Sequence, residues 1–274
     1  MRDGFELWLF STNVPLIQAA VESGVAGIVI DWERVGKPER QAGYDTQIGS
    51  DTVEDLMRVR AATPAPIMCR INPFGPWTRQ ELEVAVQAGA NEVLLPLVRS
   101  VDEVEQVLRW AGGRVGVAVL IETLSAVGLR HQLAQLPLTR VYLGLHDLAI
   151  ERGTPNPFRA ITDGIVELVR SAFSIPFGFG GLTLPDLGFP IPCRLLISEM
   201  TRLRCKFTFL RRSFLRDIIG RDVRHEVTRI LAAIQHASTC PDDELEAAHR
   251  ELLQAVERAE PFFQRRNRRV AGGG

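Results

Sequence analysis

The sequence lacks the features of a secreted or membrane-spanning chain. It contains no run of about 18 apolar residues, the length that a transmembrane helix needs, so we expect no membrane span. Its N-terminus has no basic stretch followed by a long apolar run, which argues against a secretory signal peptide. We therefore expect a cytoplasmic protein.

Cysteine is scarce, and no two cysteines form a CxxC pair. The four cysteines are Cys69, Cys193, Cys205 and Cys240. This scatter suggests neither a zinc site nor a disulfide framework, and we expect the thiols to be small buried hydrophobes. An excess of charge of one sign is also missing, because the formal net charge is −1. The composition thus gives no reason to expect a nucleic-acid or membrane partner.

What the chain does have is a repeated alternation of apolar and amphipathic segments. Its 274 residues, 46% of them hydrophobic, suit one large barrel better than two small domains. Strand-like runs are predicted near Glu6–Phe10, Gly27–Asp31, Ile67–Ile71, Glu92–Leu95, Val115–Ile121, Val141–Leu145, Pro176–Phe179 and Lys206–Leu210. Helical patterns follow each run, among them Thr78–Ala88, Ser125–Gln135 and Phe158–Ala172. Eight such alternations predict a closed (β/α)₈ TIM barrel rather than an open sheet.

Two segments fall outside a minimal barrel. We assign residues 1–240 to the barrel and residues 241–274 to a C-terminal helical extension. That extension either packs on a neighbouring subunit or is a solvated helix that closes the foot of its own barrel. The polar stretch Arg34–Ser50 predicts a long loop after strand two, and a loop of this length at the carboxyl end of a barrel strand is often functional.

Two acidic residues end two of the apolar runs. Glu122 follows VGVAVLI, and Asp147 closes VYLGLH. Because ligands of α/β barrels bind at the carboxyl edge of the strands, we expect both carboxylates at one mouth. Together they would form a hard oxygen site suited to Mg²⁺ or Mn²⁺.

Other charged residues end strands two and three. Arg70 ends the run IMCR and could hold a carboxylate bidentately, or form a salt bridge to an acidic loop. Alternation puts Asp31 and Glu33 on one face of strand two. These acids could hold metal-bound water, orient Arg70 or accept a proton, and the structural alternative is an ion pair with Arg34 or Lys37.

Weaker candidates complete the predicted site. His146 could serve as a base near neutral pH, or it could point away from the site. Arg211 and Arg212 follow strand eight, and because neighbouring residues point in different directions we expect only one of them to reach a ligand. Gly180 and Gly181 permit close backbone approach to a ligand, although a tight bend explains them equally well.

The order of several motifs resembles the HpcH/HpaI aldolase and citrate lyase beta-subunit family. The similarity runs roughly from Phe10 to Gly153 and is carried by GIVIDWE at 27–33, Arg70 with Asn72, AGANEVLLPLV at 88–98, IET at 121–123 and GLHDL at 144–148. The resemblance implies a Mg²⁺- or Mn²⁺-dependent lyase with Glu122 and Asp147 as metal ligands and Arg70 as anchor for the substrate carboxylate. It also implies a homo-oligomer.

The chain departs from that family in its proton-transfer groups. The class II pyruvate aldolases of the family carry a histidine after the strand-two acid, and here this position is Arg34. The partner acid in the helix after strand three corresponds to Gln87, so the aldolase dyad is not expected.

We therefore expect a metal-dependent carbon–carbon lyase or aldolase that works through the enolate of a 2-oxo acid or acyl-CoA-like substrate. The alternatives are condensation or thioester hydrolysis at the same site, or a barrel retained for binding without catalysis.

Overall fold

The structure is a computed structural model that describes residues 4–37 and 49–271, with residues 266–271 described by their backbone alone. The predicted functional loop Arg34–Ser50 therefore lies mostly outside the described residues.

The strands form one parallel sheet that curls into a nearly closed barrel. They are β1 (Glu6–Phe10), β2 (Gly27–Asp31), β3 (Ile67–Arg70), β4 (Glu92–Leu95), β5 (Gly116–Ile121), β6 (Arg140–Leu143), β7 (Phe177–Phe179), β8 (Gly181–Leu182) and β9 (Phe207–Leu210). Their order in the sheet is β7-β6-β5-β4-β3-β2-β1-β9-β8. Neighbouring strands run parallel to each other, as the helical connections of such a barrel require. The predicted fold class is confirmed.

The seventh predicted strand is divided into two short pieces. β7 pairs with β6, whereas β8 pairs with β9 on the opposite side. Gly180 separates the pieces with a left-handed φ of 60°, a backbone conformation that suits glycine. The bend lets one segment of chain contact both neighbours, which brings the two ends of the sheet together.

Helices surround the barrel. They are α1 (Val14–Glu22), α2 (Val53–Ala62), α3 (Thr78–Gln87), α4 (Val101–Ala111), α5 (Leu124–Gly128), α6 (Arg130–Leu133), α7 (Leu145–Glu151), α8 (Arg159–Thr162), α9 (Ile165–Arg170), α10 (Cys193–Arg202), α11 (Arg212–Asp217), α12 (Val223–Ala237) and α13 (Asp242–Ala271). The segments predicted as single helices over Phe158–Ala172 and Ser125–Gln135 are each two shorter helices. In the first of these, Gly164 adopts a left-handed φ of 72° and interrupts the helix.

Alternation along the strands separates the barrel interior from the helix-facing core. An inner cluster is formed by Trp8, Phe10, Val29, Met68, Leu94, Ala118, Leu120, Tyr142, Phe207 and Phe209. At the amino end of the strands the interior is closed by Arg140, which lies over the Trp8 ring and pairs with Glu92 and Glu6. At the carboxyl end the next inward positions are charged.

The C-terminal helix α13 packs on its own barrel. Its buried residues include Leu252, Val256 and Phe263. It contacts α10, and the Asn156 side chain donates a hydrogen bond to the Val256 carbonyl. In the part of the chain that the structure describes, no helix is both long and apolar enough to cross a membrane.

Candidate functional site

Strand alternation places four charged side chains at the mouth of the barrel. Each lies two residues beyond a member of the inner cluster: Asp31 after Val29, Arg70 after Met68, Glu122 after Leu120 and Arg211 after Phe209. Because side chains repeat their direction every second residue, these four continue the inner face at the carboxyl edge. Asp147 joins them from the first turn of α7 and is also buried.

Arg70 is fixed by a two-point contact with Asp31. Its Nε and Nη2 donate to Oδ1 and Oδ2 of Asp31 at 2.8 and 2.5 Å, and both side chains are buried. Burial alone would raise the pKa of Asp31, but the charge and hydrogen bonds of Arg70, with Arg211 and Lys37, outweigh it and hold that pKa far below its ordinary value. Asp31 is therefore a carboxylate that orients Arg70.

Glu33 and Lys37 extend this ion pair into a buried network. Lys37 Nζ donates to Glu33 Oε2 at 2.8 Å and lies 3.8 Å from Asp31 Oδ2. Arg70 Nη1 is 3.1 Å from the same Glu33 oxygen. Burial opposes ionisation of Glu33, but Arg70 and Lys37 lower its pKa overall. Burial, followed by the charge of Arg70, lowers the pKa of Lys37.

This network contains two of the four arrangements that the sequence left open for the strand-two acids. They orient Arg70, and they also form the ion pair with Lys37. Arg34 instead donates to the Asp51 carbonyl from its side chain. The sequence predicts Lys37 only as an ion-pair partner. One signal does distinguish it as a candidate site residue, because it is one of two lysines in a chain rich in arginine.

Arg211 and Arg212 both line the cavity at the mouth. Arg211 Nη2 is 3.1 Å from Asp31 Oδ2, and its guanidinium lies 4.6 Å from the Phe10 ring centroid. Burial, with the nearby charge of Arg70, lowers its pKa to about 10. Both arginines lie at the mouth because β9 ends at Leu210 and Arg212 already begins a helix. The expectation that only one of them reaches a ligand stays a prediction.

The negative charge of Asp147 acts on the carboxyl group of Glu122. Burial, then the charges of Asp147 and Glu33, raise the pKa of Glu122 to about 8. The Oε1 atom of Glu122 accepts a hydrogen bond from the Leu97 backbone at 3.0 Å. Two buried carboxyl groups that repel each other form a place where a cation would be stabilised.

Gly144 makes room for the Glu122 carboxylate. A Cβ at this position would lie 2.4 Å from Glu122 Oε2, closer than van der Waals contact allows. Gly144 also precedes α7, the helix that carries Asp147. One small residue therefore lets the Glu122 carboxylate lie against the start of the helix that carries Asp147.

His146 faces the cavity and is solvent-exposed. The part of His146 in the site stays a prediction. Gly180 and Gly181 line the same cavity, as well as forming the bend between β7 and β8.

Asn72 joins the strand-two loop to α3. Its Oδ1 accepts from the Arg34 and Val35 amides at 2.7 and 2.8 Å, and its Nδ2 donates to Glu81 at 2.5 Å. Gln87, the residue expected to replace the partner acid, is exposed at the far end of α3. The acid at the mouth end of that helix is Glu81, and burial raises its pKa.

One cavity connects these groups. It has a volume of about 440 Å³ and reaches from the barrel floor to the C-terminal helix. Its inner end is lined by Arg70, Glu122, Asp147, Arg211 and His146, and its outer end is largely apolar. Phe263 on α13 belongs to the outer wall of the cavity. No local sequence pattern predicts that this residue lies at the site.

The architecture defines the class: an α/β barrel with a charged cavity at the carboxyl end of its strands. The fold is similar to the crystal structure of RipC from Yersinia pestis, with a TM-score of 0.52 and 14% sequence identity over 88% of this chain and 98% of that chain. This likeness shows the barrel fold. No family model matches the chain, and no curated protein matches it. The resemblance to HpcH/HpaI aldolases therefore stays a prediction.

Proposed function

We propose that this protein is a divalent-metal-dependent carbon–carbon lyase or aldolase that acts through the enolate of a 2-oxo acid or acyl-CoA-like substrate. The observation that carries the proposal is the pair Glu122 and Asp147 beside Arg70 in one cavity. Burial, followed by the charge of Asp147, raises the pKa of Glu122 to about 8. Such a pair at a barrel mouth is costly unless it serves a ligand.

The residues present fit a Mg²⁺ or Mn²⁺ ion that shares its coordination with substrate. Glu122 and Asp147 would hold it, since these ions are commonly bound by one or two carboxylates with water and substrate oxygens completing the shell. Among the described residues no group of three or more His, Cys, Asp or Glu side chains could hold a metal ion by itself. A bound ion supplies Lewis-acid stabilisation of enolate charge.

The chain's own groups would bind and orient the substrate. Arg70 lines the cavity while Asp31 and Glu33 fix its guanidinium, which has more N–H donors than these contacts use. Arg211, also at the cavity wall, would add a second positive charge for a carboxylate. His146 is the cavity group that would take up or return a proton at the reacting carbon.

Calorimetric titration with oxalate, a mimic of the pyruvate enolate, tests the proposal. We expect binding in the presence of Mg²⁺ and little or none without it. Glu122→Ala should abolish the metal-dependent binding while circular dichroism shows an unchanged fold, since the residue stabilises a ligand rather than the core.

Two outcomes would contradict the assignment. Equal oxalate binding with and without Mg²⁺ would exclude a role for the metal in binding. Unchanged metal-dependent binding in Glu122→Ala would exclude Glu122 as a metal ligand. A suitable control is Glu105→Ala, which truncates an exposed glutamate on α4 and should behave as the unmodified protein.

A further inference from the structure

The outer end of the cavity has a composition that the proposed chemistry does not require. One part of its wall is an apolar lobe, which we define as Pro157, Phe158, Pro190, Ile191, Leu196 and Phe263. None of these side chains carries a hydrogen-bonding atom. The polar lining residues Arg212, Ser213 and Arg216 come from the segment after β9 and are not part of this lobe. A three-carbon 2-oxo acid held between Arg70 and Glu122 would leave this lobe unused.

The lobe is assembled from distant parts of the chain. Pro157 and Phe158 follow α7, Pro190 and Ile191 precede α10, Leu196 lies on α10, and Phe263 lies on α13. Ile191, Leu196 and Phe263 are only 3, 5 and 7% exposed, so they are held in place by packing. Phe158 and Phe263 pack ring against ring, with centroids 6.1 Å apart.

The lobe continues the same cavity as the charged end. Leu145, which precedes His146 and Asp147 in α7, lines this cavity together with them. A ligand whose carboxylate lies near Arg70 would therefore extend its substituent past Asp147 toward Leu196. Apolar walls favour an apolar substituent, because a hydroxylated or charged group would lose water there without gaining a hydrogen bond.

We propose that the substrate of this site is a 2-oxo acid, or an aldol that releases one, with an aryl or branched alkyl substituent bound by the apolar lobe. This inference rests on the proposed function, since the charged end provides the anchor for the 2-oxo acid. Leu196 and Phe263 are then residues that determine specificity.

The test compares pyruvate with phenylpyruvate in calorimetric titrations of the full chain with Mg²⁺. We expect phenylpyruvate to bind at least about tenfold more tightly, because its ring would be removed from water. Leu196→Ala should reduce that advantage about threefold or more and leave pyruvate affinity within about twofold. Unchanged pyruvate affinity in the variant also shows that its charged end is intact.

The matched control is Leu195→Ala on the same helix. Leu195 is buried in the core but does not line the cavity, so this variant loses the same side-chain atoms away from the lobe. It should keep the preference for phenylpyruvate. Equal affinities for the two acids, or equal effects of the two variants, would overturn the inference even where oxalate binding supports the enolate site. Failure of oxalate and both 2-oxo acids to bind would overturn the proposed function as well.

Discussion

At the scale of single residues, the charged network around Arg70 determines what the barrel mouth can bind. Asp31 and Glu33 bring two carboxylates to Arg70, while Lys37 and Arg211 supply further positive charge. A lone buried ion pair contributes little net stability, but a buried network in which each charge has partners fixes the direction of its members. Arg70 is thus held at the cavity wall before any ligand arrives.

Lys37 should influence anion binding although it is buried behind Arg70. Replacement by Met removes a positive charge 2.8 Å from Glu33. The carboxylates of Asp31 and Glu33 would then attract the Arg70 guanidinium more strongly, which leaves it less available to a ligand. We expect Lys37→Met to weaken Mg²⁺-dependent oxalate binding about tenfold and to destabilise the protein by about 3 kcal/mol. Lys37→Arg, which keeps the charge, should lose less affinity. Unchanged oxalate affinity in Lys37→Met would show that the network is structural only.

Asp31 should contribute stability that depends on pH. Its pKa in the folded protein lies below its ordinary value of 3.8, so the folded state favours the carboxylate. The contribution is fully present well above that value and is lost as the pH falls toward the folded pKa. We expect Asp31→Asn to cost about 3 kcal/mol at pH 7, and progressively less below about pH 4, in denaturant titrations. A cost that does not vary between pH 7 and pH 3 would contradict the role of its charge.

At the scale of elements, the site depends on the turn between β6 and α7. This turn sets Asp147 in the first helical turn and brings Gly144 against Glu122.

At the start of α3, the local sequence pattern does not predict the hydrogen bonds that form. Thr78 and Glu81 have the spacing of a capping box, yet the Thr78 hydroxyl accepts from the Gly75 amide and Glu81 bonds to Asn72. Groups of the loop between β3 and α3 therefore bind these two side chains in place of the cap.

Gly144→Ala should displace the Glu122 carboxylate, because the added Cβ would lie 2.4 Å from Oε2 and 2.9 Å from the Glu122 Cβ. We expect Mg²⁺-dependent oxalate binding to fall at least about tenfold while the helical content stays the same. The matched control is Gly128→Ala in α5, where an added Cβ meets nothing within 4 Å. If both variants bind oxalate like the unmodified protein, Gly144 has no role in placing Glu122.

At the scale of the whole molecule, α13 is part of the barrel's own packing. Val256 is fully buried beneath Asn156, and Phe263 reaches the cavity wall. The structure thus gives this helix contacts within its own chain. The expectation that the extension also joins a neighbouring subunit remains a prediction.

Val256→Asp should destabilise the whole protein, because it places a carboxylate at a fully buried apolar position. We expect the melting temperature to fall by about 10 °C, which corresponds to roughly 3–5 kcal/mol for a chain of this size. Arg258→Asp introduces the same residue at an exposed position on the same helix and should have little effect. Equal melting temperatures for the two variants would indicate that α13 does not pack on its barrel in solution.

Patterns along the sequence are enough to predict the barrel and much of its charged mouth. Apolar runs separated by amphipathic segments are local patterns, and the two-residue alternation of strands carries Asp31, Arg70 and Glu122 onto the inner face. Only the tertiary structure could decide which charges meet and what surrounds them. Arg70 and Asp31 are 39 residues apart, and Phe263 reaches the cavity only because α13 packs back on α10. Such contacts depend on packing between distant segments, which no local pattern encodes.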